Sequence, residues 1–262
     1  MQVLEANGIA LHWREDGDPA GRPVVFANSL GTDLRLWDAL LPLLPEGLSF
    51  IRFDLRGHGL SGCPEAPYDM ETLVSDAEAL IDALALEAPV FVGLSIGGMI
   101  GQGLAARRPD LLRGLVLSNT AAKMGEAGMW QTRMQAIRDG GLASIADAVM
   151  ERWFAPAFRA SDELPAWRNM MIRTPQEGYL GCCAAIADTD LAVSTAGLGL
   201  PVLGIAGADD GASPPELVKG TIDLIAGARL EVIEAAGHLP CVEKPDAYAT
   251  ILTQFLKEIG HA

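Results

Sequence analysis

Apolar residues recur along this chain in two rhythms, short continuous or alternating runs and longer stretches at helical spacing. The runs read as strands and the stretches as helices. Gln2 to Glu5 and Ile9 to Arg14 are short strands joined by Asn7-Gly8, a dipeptide that supplies the positive φ angles of a tight hairpin turn. Pro23 to Ala27 is a buried-strand run that ends in the loop Asn28-Ser29-Leu30-Gly31. A helix punctuated by Pro and Gly is expected around Trp37, followed by a strand from Leu48 to Asp54. Thr72 to Leu84 has helical spacing, Val90 to Val92 is a further strand, Met99 to Ala106 a helix stopped by Pro109, and Leu115 to Leu117 a strand.

Strands alternating with helices predict an α/β fold, a mostly parallel twisted sheet with helices on both faces. The rhythm breaks between about Lys123 and Asp190, where only helical patterns occur and three of the five tryptophans lie, Trp130, Trp153 and Trp167. It resumes with a strand from Val202 to Ile205, a helix near Leu217 to Ile225, a strand from Leu230 to Ile233 and a last helix from Asp246 to Glu258. The expected organisation is one core, residues 1–122 and 191–262, interrupted by a helical cap, 123–190.

A length of 262 residues suits a single α/β unit, and a chain that is 50% hydrophobic and 20% charged should bury a sizeable core. The formal net charge of −15 disfavours nucleic acid as a partner. It also means that an anionic ligand would need a local cation. No run of about eighteen apolar residues is free of charges and turn signals, so no membrane span is expected. The opening MQVLEANGIALHW lacks the basic and apolar regions of a secretory signal. The adjacent Cys182 and Cys183, with Cys63 and Cys241, fit neither a redox pair nor zinc-ligand spacing. Together these features predict a cytoplasmic protein whose cysteines act as small buried hydrophobes.

Gly93-Leu94-Ser95-Ile96-Gly97 falls directly after a strand and before a helix. At such a turn a serine hydroxyl is exposed above the sheet beside free backbone N–H groups, and flanking glycines avoid collision with the neighbouring strand and helix. The plainer reading is a glycine-rich helix start with Ser95 as its N-cap, and the strand–motif–helix context favours the nucleophile over it. A serine nucleophile needs a base, and there are four histidines. His261 is next to the C-terminus and expected to be mobile, His12 lies in the hairpin, and His58 is in a loop. His238 follows the last strand, and sites in open α/β sheets form at the carboxyl ends of strands. Between Ser95 and His238 falls Gly207-Ala208-Asp209-Asp210, which gives the chain order Ser, Asp, His. Asp210, fourth in that turn, is favoured as the carboxylate that orients the imidazole, with Asp209 the alternative. The oxyanion of an acyl transfer would be met by the backbone N–H groups of Ile96 and Leu30.

Gly57-His58-Gly59-Leu60-Ser61-Gly62 matches a dinucleotide fingerprint literally, but Cys63-Pro64-Glu65-Ala66-Pro67 forbids the helix that would hold pyrophosphate. No phosphate-binding loop and no zinc-protease motif occurs.

The Asn28 loop, Asp54-Leu55-Arg56-Gly57-His58-Gly59, the Ser95 turn, the Asp210 turn and the His238 segment together resemble the α/β-hydrolase superfamily, over essentially the whole chain. A narrower likeness is to the 3-oxoadipate enol-lactonases of the β-ketoadipate pathway. It rests on NSLGTDLRLWD from Asn28, on GLSIGGMIGQGLAARRPDLLRGLVLSNTA from Gly93, and on Arg152 to Phe158 and Glu177 to Ile186 in the cap. The resemblance implies a lactone hydrolase without cofactor or metal. Its small anionic substrate would be opened by Ser95, with an enolate as leaving group and His238 activating water for the second step. The substrate carboxylate would need an arginine from Arg133, Arg138, Arg152, Arg168 and Arg173. Arg133 ranks first because it shares a helical face with Trp130, and Trp130 and Trp153 are candidate pocket walls. Other readings of the same motifs are a capped carboxylesterase, another lactonase, a carbon–carbon bond hydrolase, a cofactor-free haloperoxidase-like side reaction of the same site, or a ligand-binding receptor on the same fold.

Overall fold

Continuous apolar runs mark strands covered on both faces. Val24, Val25, Phe26 and Ala27 accordingly have no exposed surface, and neither do Val90, Phe91 and Val92. The structure is a computed structural model describing all 262 residues. Its strands are β1 (Gln2–Ala6), β2 (Ile9–Gly17), β3 (Arg22–Ala27), β4 (Leu48–Phe53), β5 (Val90–Leu94), β6 (Gly114–Ser118), β7 (Val202–Gly207) and β8 (Arg229–Ile233). They form one sheet in the order β1-β2-β4-β3-β5-β6-β7-β8. The β1–β2 and β2–β4 pairs are antiparallel, and every later pair is parallel. Val25 marks the middle, in register with Ile51 on one side and Phe91 on the other.

Because the chain leaves β3 for β4 on one side and β5 for β6 on the other, a crevice opens at the carboxyl ends of β3 and β5. Such a switch point is where open α/β sheets receive ligands. The Asn28 loop and Ser95 flank it.

α1 (Met70–Ala83) and α2 (Ile96–Arg107) pack on each other and on the sheet. α1 starts at Asp69, whose side chain accepts the Thr72 N–H at 2.7 Å, a cap worth about 1 kcal/mol. Leu73, Val74, Ala77, Leu80 and Ile81 form its buried stripe. Between β6 and β7 the chain is helical throughout, with α3 (Ala127–Gly140), α4 (Ala146–Trp153), α5 (Pro156–Arg159), α6 (Leu164–Ile172), α7 (Gln176–Ala187) and α8 (Ala192–Ala196). The core resumes with α9 (Pro215–Ile222), α10 (Pro240–Glu243) and α11 (Pro245–Glu258). No helix is long and apolar enough to cross a membrane.

Three expectations need correction. The helix around Trp37 is two short 3-10 turns, Leu34–Trp37 and Leu41–Leu43, the second with Pro42 in its first turn. His261 is tied into the fold. It is 3% exposed, its N–H reaches the Leu256 carbonyl at 2.7 Å, and its Nε2 lies 3.0 Å from the Pro23 carbonyl. His261 thus packs against the start of β3. Cys63 is exposed, whereas Cys182, Cys183 and Cys241 are buried as expected.

Candidate active site

Ser95 sits at φ 59° and ψ −118°, a conformation that side chains rarely adopt and that costs on the order of 1–3 kcal/mol. Four hydrogen bonds hold it there. Its N–H donates to the Ser118 carbonyl at 2.9 Å, and its own carbonyl accepts from Gly98 N at 2.9 Å, Met99 N at 3.2 Å and Thr120 Oγ1 at 2.6 Å. The flanking glycines are sterically required. A Cβ on Gly93 would lie 2.2 Å from the Gly97 oxygen, and one on Gly97 would lie 2.3 Å from the Ala27 oxygen. This close approach also explains why α2 starts at Ile96 rather than Met99, through two glycines that propensity alone would exclude from a helix.

His238 is brought opposite by the loop after β8. Its Nδ1 lies 2.8 Å from Asp210 Oδ2, so the ring carries its proton on Nδ1 and leaves the Nε2 lone pair free. Asp209 is exposed and makes no contact with the ring, so the geometry separates the two aspartates. Asp210 Oδ2 also accepts from Asn119 Nδ2 at 2.9 Å and Ser213 Oγ at 2.7 Å, while Oδ1 accepts from Ala212 N at 2.7 Å and Ser213 N at 3.0 Å. Burial opposes the charge on Asp210, but the His238 ring and these donors more than offset it and hold the carboxyl well below its usual range. Asn119, at φ 48° after β6, also reaches the Gly237 carbonyl at 3.3 Å.

Ser95 and His238 line one cavity of about 120 Å³, without a hydrogen bond between them in this structure. Leu30, Trp130, Arg133, Arg152 and Trp153 line the same cavity, whereas the other arginines named from the sequence do not: Arg138 and Arg173 lie at other surface hollows, and Arg168 pairs with Asp147. The Leu30 N–H has no protein acceptor, and Ile96, first in α2, has no acceptor within its helix. The Trp153 ring stacks against His238 with centroids 6.4 Å apart, and the Arg133 guanidinium lies 5.1 Å over the Trp130 ring.

Residues that sequence reasoning ranked below Arg133 or passed over complete the site. Arg152 lines the cavity beside Arg133, and neither forms an ion pair with a carboxylate. Burial and then the neighbouring Arg133 charge pull the Arg152 guanidinium below its ordinary pKa. The hydroxyls of Ser29 and Tyr179 also line this space, both buried and without a hydrogen-bond partner. An unpartnered buried hydroxyl costs about 1–3 kcal/mol, and against a cavity it is open to a ligand or water. No cluster of three His, Cys, Asp or Glu side chains is arranged to hold a metal ion.

The helical insertion is stitched to the His238 loop. The His238 N–H donates to the Trp153 carbonyl at 2.7 Å, and Glu243 accepts from Gly237 N at 2.7 Å and Ala155 N at 2.9 Å. Burial pushes the Glu243 carboxyl up to about 7, against those two N–H donors and with Asp209 and Asp210 adding repulsion. Because the folded-state value lies above the unfolded one, the associated stability is present at low pH and is lost as pH rises through about 7. Glu243→Gln removes this titration. Its Tm should lie below wild type at pH 5, and the gap should narrow as pH rises to 8. A gap constant across that range would refute the assignment.

Comparison with known proteins gives a consistent picture. The model of a family described as having the alpha/beta hydrolase fold matches residues 22–245. 3-oxoadipate enol-lactonase 2 of Acinetobacter baylyi is 36% identical over 260 residues, 98% of this chain and 97% of that enzyme. The crystal structure of the enol-lactonase from Burkholderia xenovorans is 36% identical with a TM-score of 0.94, covering 98% of this chain and 100% of that one. A thermophilic esterase from Thermogutta terrifontis, solved with malate bound, is 28% identical with a TM-score of 0.93 and full coverage of both chains, 100% each.

Proposed function

The chain belongs to the α/β-hydrolase family, and from that premise we propose that it opens 3-oxoadipate enol-lactone to 3-oxoadipate through an acyl-enzyme on Ser95. The observation that carries this reading is the pair of arginines, Arg133 and Arg152, without carboxylate partners in the same cavity as Ser95 and His238. In a chain of net charge −15, uncompensated cations at that place suit a substrate that brings its own carboxylate. The relatives that are enol-lactonases, and the related esterase that holds malate, support a small acid-bearing ligand. So does the volume, about 120 Å³, near the roughly 150 Å³ at which a protein cavity accepts benzene.

In this mechanism Ser95 Oγ attacks the lactone carbonyl while His238 Nε2 takes its proton. The Leu30 and Ile96 N–H groups receive the developing oxyanion. The ring C–O bond then breaks, His238 returns the proton to the departing enolate oxygen, and the enol reverts to the ketone. A water activated by His238 releases the acid and restores Ser95. Asp210 keeps the imidazole in the right tautomer and stabilises imidazolium. Residues 123–190 serve as the cap, with Trp130, Arg133, Trp153, Arg152 and Tyr179 facing the substrate from it.

The test is a spectrophotometric assay on freshly generated enol-lactone, beside a simple ester and a vinylogous diketone. Ring opening well above background is the expected result. Its absence, with turnover of the simple ester, would move the assignment to a carboxylesterase. Absence of turnover on all three would favour a binding protein. Charge-assisted hydrogen bonds are worth about 1.5–3 kcal/mol. Arg152→Ala and Arg133→Ala should therefore each raise KM for the lactone by about tenfold or more, with smaller changes in kcat. KM for a neutral ester should hardly move, and equal effects on both substrates would remove the arginines from the carboxylate.

A further inference from the structure

Three of the four histidines are not the base, and one of them is fully buried against the oxyanion loop. We propose that His58 is a positioning residue that fixes the Leu30–Gly31 peptide, so that the neighbouring Leu30 N–H is held ready for the oxyanion. The inference rests on the reading of Leu30 as an oxyanion donor.

His58 has no exposed surface. Its Nδ1 lies 3.1 Å from the Arg56 carbonyl, which can only accept, so Nδ1 carries the proton. Nε2 is then a lone pair, and it accepts the Gly31 N–H at 3.0 Å. Burial lowers the pKa of the ring, against the pull of Asp54 and Asp33, and keeps it neutral as this acceptor role requires.

The rest of the loop is anchored on either side of this peptide. Asn28 Nδ2 donates to the Phe53 carbonyl at 2.7 Å, and the Trp37 indole donates to Asn28 Oδ1 at 2.8 Å. Thr32 bonds back to the Ser29 carbonyl through its N–H at 3.2 Å and its hydroxyl at 2.8 Å. Between those anchors the Leu30 N–H is unpaired, and the Gly31 N–H has His58 alone. A misplacement of about 1 Å in a catalytic group can cost on the order of a hundredfold in rate.

Two variants separate the ring nitrogens. In His58→Gln the side-chain oxygen reaches the position of Nε2 and can still accept from Gly31. In His58→Asn the amide mimics only Nδ1 and its bond to Arg56. Measured on an ester or lactone that the wild type turns over, His58→Asn should lose about 10–100-fold in kcat with KM within about threefold. His58→Gln should stay within about fivefold of wild type, and the two should melt within a few degrees of each other. Equal losses in both variants, a loss carried by KM, or a loss that follows Tm would overturn the inference.

A measurement on the wild type needs neither variant. Long-range nitrogen NMR should show His58 protonated on Nδ1, and protonation on Nε2 would overturn the assignment. Failure of the underlying hydrolase reading looks different, with Ser95→Ala turning over substrate as fast as wild type, and it would remove the inference as well.

Discussion

Ser95→Ala should lower kcat by roughly a hundred-thousandfold or more, while the protein remains folded and still binds a carboxylate-bearing ligand. Loss of the nucleophile removes the covalent route entirely, and in serine hydrolases that single change costs about as much as removing the whole catalytic set. What survives is the residual assistance from the oxyanion donors and from binding, on the order of a thousandfold over water. Folding should be little affected. The elbow is held by backbone bonds from Ser118, Gly98 and Met99 and by the Thr120 hydroxyl, none of which involves Oγ. Initial rates on the enol-lactone and on a slow ester measure the effect. Mass spectrometry of the wild type with the slow ester should show an acyl adduct on the peptide containing Ser95. A variant that keeps more than about one hundredth of the wild-type rate would exclude Ser95 as nucleophile.

For Asp210→Asn the expected loss in kcat is roughly a thousandfold to ten-thousandfold. A carboxylate accepts from every direction, and here five donors converge on it, from His238, Asn119, Ala212 and, through both hydroxyl and N–H, Ser213. An amide must turn its own N–H groups toward some of them. Facing His238, it would force the proton onto Nε2 and leave no lone pair for Ser95. Facing the Ala212 and Ser213 amides, it would set donor against donor in a buried place, at a cost of about 1–3 kcal/mol. The variant should therefore lose Tm as well as rate. The folded state holds this carboxyl well below its usual range. Its contribution to stability is thus present above about pH 4 and lost as the pH falls through the depressed folded value. Asp210→Asn should flatten that acid limb of the melting curve. Asp209→Asn, altering an exposed side chain, should behave as wild type. Comparable losses in the two variants would overturn the assignment of Asp210.

The parts of this molecule that were legible from sequence are those set by local pattern. Val24 to Ala27 and Val90 to Val92 read as inner strands because they are short, β-branched and aromatic apolar runs bounded by turn residues. Ser95 between Gly93 and Gly97 announces a strand-to-helix elbow because contacts of 2.2 and 2.3 Å leave no room for a side chain. The order of Ser95, Asp210 and His238 follows from loops at one edge of a parallel sheet.

What stayed hidden depends on partners distant in sequence. Arg152 resembles any cap arginine until Arg133 and the absence of a counterion are seen beside it. Ser213 and Asn119 carry no motif, yet both bond to Asp210, and only the position of Asn119 just after β6 hinted at a site residue. Glu243 and His58 act on backbone N–H groups of other segments, a role that side-chain identity does not reveal. His261 appeared free because termini commonly are, whereas here tertiary bonds to Leu256 and Pro23 hold it.

The seam at Trp153 and Ala155 restricts how small molecules can come and go. Peeling those residues away would strip the backbone of the imidazole loop of its anchor and pull the ring from its carboxylate. Opening along this line would therefore break the His238–Trp153 bond and the two N–H bonds to Glu243. At the opposite margin no such bond would be broken: Met129, 44% exposed, and Leu217, 38% exposed, line the cavity and also meet solvent.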